Sequence, residues 1–389
     1  MKKTSYKYLL ALGHWCSDIN QGSLNSIIPF LIAAYNFNYT TAATLVFMSN
    51  LIGSVVQPIF GALADKKSQP WSMVCGMLLA AGGMALTGFM TSFAGLAICV
   101  VISGVGSAVF HPQAARLINK FADKGHEGFS ISVFSFGGSF GYALGPIVVT
   151  AAIVSFGLKG TGVLCIPALI ASGFLFSQSK YMRDDKIVEL KENEGEIKES
   201  APAKTDNWKA FIVLTFFVFG RSIALTGMNT FTSLYFINEL GKTEVFGNSM
   251  LSMYYFVSML TTLFGGTVAD RIGYTKLLRW ASIMLSLSII GFSLAHSVVL
   301  CVVLLIPIAC AMNLTYSPIV VLGQKYLPNH VGLASGLTLG LAMSLGGIFS
   351  PVLGLIGDHQ GLVIVMYVIG GVSVLPAIIA NFLPEPKKE

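Results

Sequence analysis

Four polar residues share one face of an otherwise apolar stretch near the start of the chain. In GHWCSDINQGSLNS, His14, Asp18, Gln21 and Asn25 are spaced at i, i+4, i+7 and i+11, the spacing of one helical stripe. A carboxylate beside an imidazole can gain or lose a proton near neutral pH. The stripe therefore predicts proton coupling by Asp18 and His14. A buried pair that only fixes helix packing is the alternative.

A second polar stripe ends the apolar segment SGVGSAVFHPQAARL. Ser103, Ser107 and His111 recur every four residues, so they share one helical face that ends in an imidazole. Pro112 removes a backbone donor at the same point and loosens the helix. We expect this stripe to face a central cavity, where His111 would handle protons together with Asp18.

A single arginine lies deep in the apolar segment FVFGRSIALTGMNTF in the second half of the chain. Arg221 is a permanent cation, which could hold an anionic substrate group or neutralise Asp18. Asn229 follows on roughly the same side of the helix. We predict that both residues bind substrate. A side chain that extends to the membrane surface is the alternative.

Further polar residues in the apolar segments are candidates for the wall of the same cavity. The predicted substrate contacts are amides, tyrosines and one arginine: Gln21, Asn25, Gln113, Arg116, Tyr254, Tyr255, Asn313 and Tyr316. The tyrosines could equally belong to the aromatic belts at the membrane surfaces. Arg116 could equally be an ordinary cation at the cytoplasmic end of its helix.

The composition indicates that a membrane must surround these residues. Of 389 residues, 54% are hydrophobic and 11% are charged, whereas a soluble domain has about 25% charged residues. Apolar runs of about 20 residues, long enough to cross a bilayer, recur throughout. Strands would give short alternating segments instead. We predict twelve spanning helices, at residues 8–34, 41–64, 71–91, 94–119, 128–155, 161–181, 209–238, 246–268, 277–296, 298–324, 331–357 and 361–383.

Two halves and a linker organise these spans. Residues 182–208 form a long polar stretch, which predicts a cytoplasmic linker between the six-helix halves 1–181 and 209–389. The halves resemble each other, because GALADK after span 2 returns as GTVADR after span 8. A duplicated unit is the plan of transporters that rock two halves around a midplane site. Nearly all of the 24 Lys and Arg residues lie in segments on the side of the termini, which predicts cytoplasmic termini.

These features resemble the major facilitator superfamily, above all GALADKK and GGTVADRIG after spans 2 and 8. Within it, GVGSAVFHPQAARL, SISVFSFGGSFGYALGP and GLASGLTLGLAMSLGGIFSPVLGLIGDH resemble the fosmidomycin resistance protein group. The resemblance implies an all-α integral membrane protein with two pseudo-symmetric halves and the major facilitator fold. It also implies gating by the loop motifs and by the glycine-proline motif of span 5, which comprise Gly61, Asp65, Lys66, Gly141, Gly145, Pro146, Gly266, Asp270 and Arg271.

The sequence therefore predicts a proton-coupled antiporter that exports small organic molecules of anionic or drug-like character. The alternative is a proton-coupled symporter that takes up an organic anion through the same residues. No Walker loop and no His/Cys cluster with metal-ligand spacing occurs, so we expect neither an enzyme nor a metal or other cofactor, and the proton gradient as the driving force. We expect a monomer in the bacterial inner membrane, with lipid, substrate and protons as partners and no nucleic acid.

Overall fold

The computed structural model describes residues 6–66, 69–121, 127–183, 205–330, 334, 337–338 and 342–385. Within these residues it is helical and has no β-strand, which confirms the predicted all-α class. The α-helices of this part of the chain are α1 Tyr6–Tyr35, α2 Tyr39–Lys66, α3 Pro70–Leu86, α4 Phe93–Phe121, α5 Glu127–Phe156, α6 Cys165–Ser179, α7 Trp208–Asn238, α8 Glu244–Ile272, α9 Tyr274–Leu294, α10 Val298–Leu314, α11 Tyr316–Tyr326, α12 Ala342–Gln360 and α13 Leu362–Ile379.

The helices follow the predicted spans, with one span divided in two. Span 10 is broken at Thr315, between α10 and α11. Pro318 explains the break, because it lacks the N–H that would bond to the carbonyl of Leu314. Most of the first half of predicted span 11 and residues 184–204 of the predicted linker lie outside the described residues.

Nine segments among the described residues are long and apolar enough to cross a membrane. They are Tyr39–Gly61, Pro70–Phe89, Phe93–Ile118, Ser130–Phe156, Leu158–Met182, Trp208–Asn238, Tyr274–Leu294, Val298–Tyr326 and Leu362–Phe382. The other predicted spans correspond to α1, α8 and α12. The polar stripe of α1 lowers its hydropathy, and the described part of α12 holds only the second half of its predicted span.

Contacts divide the chain into two units. The first unit comprises Met1–Ser23 and Ile52–Ala203, and the second comprises Leu24–Leu51 and Lys204–Glu389. The boundary therefore falls within α1 and α2, whose adjoining ends belong to the second unit. The predicted division at the linker stays a prediction.

Glycines bring α5 into backbone contact with α1 in the first unit. A Cβ on Gly141 would lie 2.6 Å from the carbonyl oxygen of Trp15, and one on Gly145 would lie 2.7 Å from that of Ile19. Small residues at such spacing let two membrane helices approach closely. This packing fixes the rotation of α1 and therefore the direction in which its polar stripe points.

Candidate functional site

His14 and Asp18 of α1 meet His111 of α4 inside the first unit. His14 Nε2 lies 3.1 Å from Asp18 Oδ2, and His111 Nε2 lies 3.0 Å from Asp18 Oδ1. The two imidazole centroids are 5.0 Å apart, and the rings are nearly perpendicular. The structure thus brings together the three residues that were predicted to handle protons. We call them the triad; their role stays a prediction.

Backbone carbonyls hold both imidazole rings through Nδ1. His14 Nδ1 lies 2.8 Å from the carbonyl oxygen of Phe134, on whose ring the imidazole also stacks. His111 Nδ1 lies 2.7 Å from the carbonyl oxygen of Ser107. A carbonyl oxygen only accepts hydrogen bonds, so Nδ1 of each ring carries the hydrogen. Each Nε2 is therefore the nitrogen that faces Asp18.

The Asp18 carboxylate is buried, with 6% of the residue exposed. No aligned hydrogen bond reaches Oδ1 from the described residues, so the approach of His111 Nε2 is what compensates that oxygen. A buried carboxylate without compensation is strongly disfavoured. The charge state of the two imidazoles therefore decides how stable the ionised carboxylate is.

Gly138 of α5 closes one side of the triad, and the sequence prediction did not include it. A Cβ at this position would lie 2.5 Å from His14 Nε2 and 2.7 Å from Asp18 Oδ2. Only a residue without a side chain leaves room for the ion pair. The Gly-Gly pair in FGGSFGYALGP is the signal in the sequence, but the sequence does not show which helix lies against it.

The triad also meets the distance requirement for a metal ion. One ligand atom from each of His14, Asp18 and His111 can be chosen so that all lie within 4.8 Å of one another. The expectation of no metal relied on spacing along the chain, which cannot show that α4 contributes a third donor beside His14 and Asp18. That expectation stays a prediction.

Ser103 does not follow the predicted stripe toward the triad. Its hydroxyl is fully buried and donates to the carbonyl oxygen of Ala80 on α3, at 2.9 Å. Glycines draw α3 and α4 together at this level, since a Cβ on Gly83 would lie 2.6 Å from the amide nitrogen of Ser103. The expectation that Ser103 faces a cavity is therefore wrong, because close packing of α3 against α4 takes up its hydroxyl.

The first-half substrate candidates beside the triad differ in burial. Gln113 is buried, and Arg116 and Gln21 are partly buried. Asn25 lies on the same helix as Gln21 but in the second unit, where its Nδ2 donates to the hydroxyl of Tyr255 at 3.2 Å. The predicted stripe on α1 is thus shared between the two units.

Arg221 of α7 is buried in the second unit, with 3% of the residue exposed. Its Nε donates to Thr315 Oγ1 at 2.8 Å, and its Nη2 donates to the carbonyl oxygen of Met312 at 2.5 Å. Both acceptors come from the break between α10 and α11. Both are neutral, and the described residues offer this guanidinium no carboxylate partner. Snorkelling to the membrane surface, the alternative considered for Arg221, is therefore wrong.

The tyrosines and amides near Arg221 differ in exposure. Tyr254 and Tyr316 interact electrostatically with the guanidinium. Tyr254 is 1% exposed and its hydroxyl has no partner among the described residues, whereas Tyr316 is 44% exposed. Asn229 Oδ1 is also buried without a described partner, and Asn313 Nδ2 donates to the carbonyl of Ala309 on its own helix. Tyr254 and Asn229 therefore keep free hydrogen-bonding capacity in the described part of this unit.

The predicted gating residues lie at helix ends and in one helix contact. Asp270 accepts a hydrogen bond from the hydroxyl of Tyr274, and Asp270 and Arg271 are exposed at the end of α8. Gly266 lies within α8, and Gly61 of α2 faces Pro112. Asp65 and Lys66 end α2, but their side chains lie outside the described residues. Gly141, Gly145 and Pro146 lie in α5, where the two glycines contact α1.

One structural carboxylate was missed. Asp358 of α12 accepts from the backbone nitrogens of Tyr39 and Thr40, at 2.6 and 2.9 Å, and from the hydroxyl of Thr40. It thus caps the first turn of α2, where a carboxylate is favoured. Gly354 permits the approach, because a Cβ there would lie 2.8 Å from the Cα of Thr40. Only tertiary contact reveals this cap.

A second carboxylate lies before α7. Asp206 accepts from the backbone nitrogen of Asn329 at 3.1 Å and contacts His330 Nδ1 at 2.9 Å. Desolvation raises the pKa of Asp206, but these hydrogen bonds outweigh it, so the pKa of this carboxyl lies below its ordinary value. This contact joins the start of α7 to the turn after α11.

The apolar helices of the first unit bury a carboxylate with two imidazoles, and those of the second unit bury an arginine. These features define a polytopic membrane transporter. The sequence profile of the Major Facilitator Superfamily matches residues 10–351. The chain belongs to this superfamily, and it is a transporter rather than an enzyme.

Two relatives in bacteria match nearly the whole chain. The fosmidomycin resistance protein of Escherichia coli K12 is 28% identical over 98% of this chain and 94% of its own length. An uncharacterised transporter of the same superfamily from Bacillus subtilis 168, YfnC, is 28% identical over 99% of this chain and 94% of its own length. These matches confirm the resemblance that the sequence motifs indicated.

Solved structures confirm the major facilitator fold. A bacterial homolog of the human lysosomal transporter Spinster superimposes with a TM-score of 0.77 at 11% identity, and covers 98% of this chain and 97% of its own. The xylose transporter XylE from E. coli superimposes with a TM-score of 0.74 at 15% identity, and covers 100% of this chain and 98% of its own. At such identities the likeness concerns the fold alone.

Proposed function

We propose that the protein is a proton-coupled antiporter that exports small organic molecules of anionic or drug-like character by alternating access. The observation that carries the proposal is the burial of Asp18 between His14 and His111. Two imidazoles in contact with a buried carboxylate provide a site whose charge changes when it gains or loses a proton.

The cost of burying Asp18 favours a working site over a structural one. A carboxylate at the centre of a membrane helix costs roughly 2.5–3.5 kcal/mol on insertion scales, and such residues usually lie on ion pathways or in proton relays. The glycine at position 138 and the two carbonyl acceptors, Phe134 and Ser107, all serve to hold the ionised form next to the imidazoles. We take this arrangement to be selected for proton exchange.

The buried guanidinium of Arg221 supports an anionic substrate group. Its described partners, Thr315 Oγ1 and the carbonyl of Met312, are neutral and leave its charge uncompensated. A planar guanidinium binds carboxylates and related oxyanions well. The buried Tyr254 hydroxyl offers a further donor within the same unit. A substrate with one anionic group would satisfy both residues.

The names of two relatives support export. The E. coli relative confers fosmidomycin resistance by its name, and a multidrug resistance protein of Aeromonas hydrophila, MdtH, is 36% identical over 23% of this chain and 22% of its own length. The stretch GYALGP in α5 resembles the glycine-proline motif of exporters in this superfamily, which supports the same direction. We place the protein in the bacterial inner membrane with cytoplasmic termini, because that orientation puts most basic residues on the cytoplasmic side.

Uptake by symport remains the second candidate. A solved D-xylose-proton symporter superimposes with a TM-score of 0.73 and covers 99% of this chain, so the same fold serves a symporter. The direction in which substrate moves relative to the protons distinguishes an antiporter from a symporter. In proteoliposomes with an imposed pH gradient and fosmidomycin as the probe, an antiporter moves the probe against the proton flow, and a symporter moves it with the proton flow.

The Asp18→Asn variant tests the coupling in the same vesicles. We expect it to lose transport driven by the pH gradient but to keep exchange of labelled for unlabelled fosmidomycin without a gradient, because exchange needs no net proton movement. Glu244→Gln, which neutralises an acidic residue in the first turn of α8, is the matched control and should transport as the wild type does. Undiminished gradient-driven transport by Asp18→Asn would refute the coupling.

A further inference from the structure

We infer that the triad is a site for two protons, one on each Nε2, so that one transport cycle can exchange two; the inference rests on the proposed proton coupling. The contacts of His14 and His111 with separate oxygens of Asp18 carry it. A single histidine beside a carboxylate would offer one such position.

The first step is the tautomer of each ring. His14 donates its Nδ1 hydrogen to the Phe134 carbonyl, and His111 donates its Nδ1 hydrogen to the Ser107 carbonyl. The fixed hydrogen bond on one ring nitrogen decides what the other nitrogen does. In the neutral state, each ring therefore presents a bare Nε2 lone pair to the carboxylate.

The second step is the count of protons. A bare nitrogen lone pair and a carboxylate oxygen at 3.0–3.1 Å repel each other, so each contact is attractive only when its Nε2 carries a proton. His14 uses Oδ2 and His111 uses Oδ1, so the two positions do not compete for one oxygen. With both positions filled, the triad carries a net charge of +1. Release of one proton gives 0, and release of the second gives −1.

The third step concerns the neighbours of the triad. On α5 the facing residues are Phe134 and Gly138, which do not titrate. On the α6 side, the thiol of Cys16 donates to the carbonyl of Pro167 and is therefore engaged there. On α4 the charged group is Arg116, five residues beyond His111. Among these described neighbours, the exchangeable protons belong to the three members of the triad.

The two positions differ in access and in what they connect. The side chain of His111 is 25% exposed, whereas those of His14 and Asp18 are 11% and 8% exposed. The proton on His111 is therefore the outer one and exchanges first. It is also the one that attracts α4 to α1, because His14 and Asp18 lie on the same helix. Release of the outer proton loosens the contact between two helices, and release of the inner proton does not.

Nitrogen NMR of the purified protein with ¹⁵N-labelled histidine tests the count without transport. His14→Asn and His111→Asn assign the two signals. At acidic pH we expect both rings as imidazolium. As the pH rises, each ring should lose the Nε2 proton and keep the Nδ1 proton. Asp18→Asn should change the Nε2 signals of both rings, because it removes the carboxylate that faces each of them, whereas the signals of the exposed His296 should match those of the wild type.

Three results would overturn the inference. The first is a ring that stays neutral across the whole range, the second is a ring that keeps Nε2–H in its alkaline form, and the third is a stoichiometric metal ion found by elemental analysis of the same sample. The outcome is separable from that of the proposed function. If both rings titrate but gradient-driven transport is absent, the two-proton site is supported and the proton coupling is refuted. If only one ring titrates and the coupling is intact, only the number of protons is refuted.

Discussion

Gly138→Ala perturbs the triad without removing any of its members. The added Cβ would lie 2.5 Å from both Cε1 and Nε2 of His14 and 2.7 Å from Asp18 Oδ2. Carbon and nitrogen atoms in contact lie at about 3.5 Å or more, so the imidazole must move away from α5 by about 1 Å. Its acceptor, the Phe134 carbonyl, lies on α5 and stays behind.

The displacement gives the magnitude of the effect. The Nδ1 to carbonyl distance would rise from 2.8 Å to about 3.8 Å, which is no longer a hydrogen bond. Overpacking of this kind costs about 1–3 kcal/mol. If the protonated state bears this cost, the rate of gradient-driven transport should fall about 10- to 100-fold, at about 1.4 kcal/mol for each factor of ten. The Nδ1–H tautomer of His14 should be lost as well.

Transport of fosmidomycin in proteoliposomes measures the rate, and ¹⁵N NMR measures the tautomer. Gly82→Ala and Gly173→Ala are the matched controls, because a Cβ at either position meets nothing within 4 Å. Both controls also add an alanine to a helix, which is favourable by about 1 kcal/mol. The reasoning would be refuted if Gly138→Ala transported at the rate of these controls and His14 kept its wild-type tautomer.

Two further predictions concern the second unit. Arg221→Gln should raise the KM for fosmidomycin at least tenfold with little change in thermal stability. Arg221→Lys should recover only part of the affinity, because an ammonium lacks the planar fork that reaches two acceptors. Equal KM values for the wild type and both variants would contradict a role in anion binding. Asp358→Ala should lower the free energy of unfolding by about 0.5–2 kcal/mol, as other lost helix caps do, and Asp358→Asn by less, which thermal unfolding in detergent would measure. An unchanged melting temperature in Asp358→Ala would show that the cap on α2 contributes nothing.

The triad shows how far sequence reasoning reaches. His14 and Asp18 are four residues apart on one helix, so their contact follows from helix geometry once α1 forms. The stripe of α4 gave the correct direction for His111 but the wrong one for Ser103, although the two lie on the same predicted face. The difference arises because close packing through Gly83 directs the Ser103 end of that face to α3.

Other features had no local signal strong enough to be interpreted. Gly138 lies close to the glycine-proline motif of span 5 in the sequence, and only the position of α1 shows that it borders the ion pair. Asp358 accepts from residues more than 300 positions earlier in the chain, and no periodicity predicts such a pairing. Arg221 was correctly placed in the interior, but its acceptors arise from the helix break at Thr315.

The sequence by itself determined the membrane class, the helices and the inventory of rare polar groups. The reason is physical: in a bilayer each apolar segment must satisfy its own backbone, so length and hydropathy alone specify a helix. Tertiary structure decided which polar groups meet. The rotation of one helix against another depends on where glycines allow backbones to touch, and this packing turned an i, i+4 pair on α1 into a site with two imidazoles.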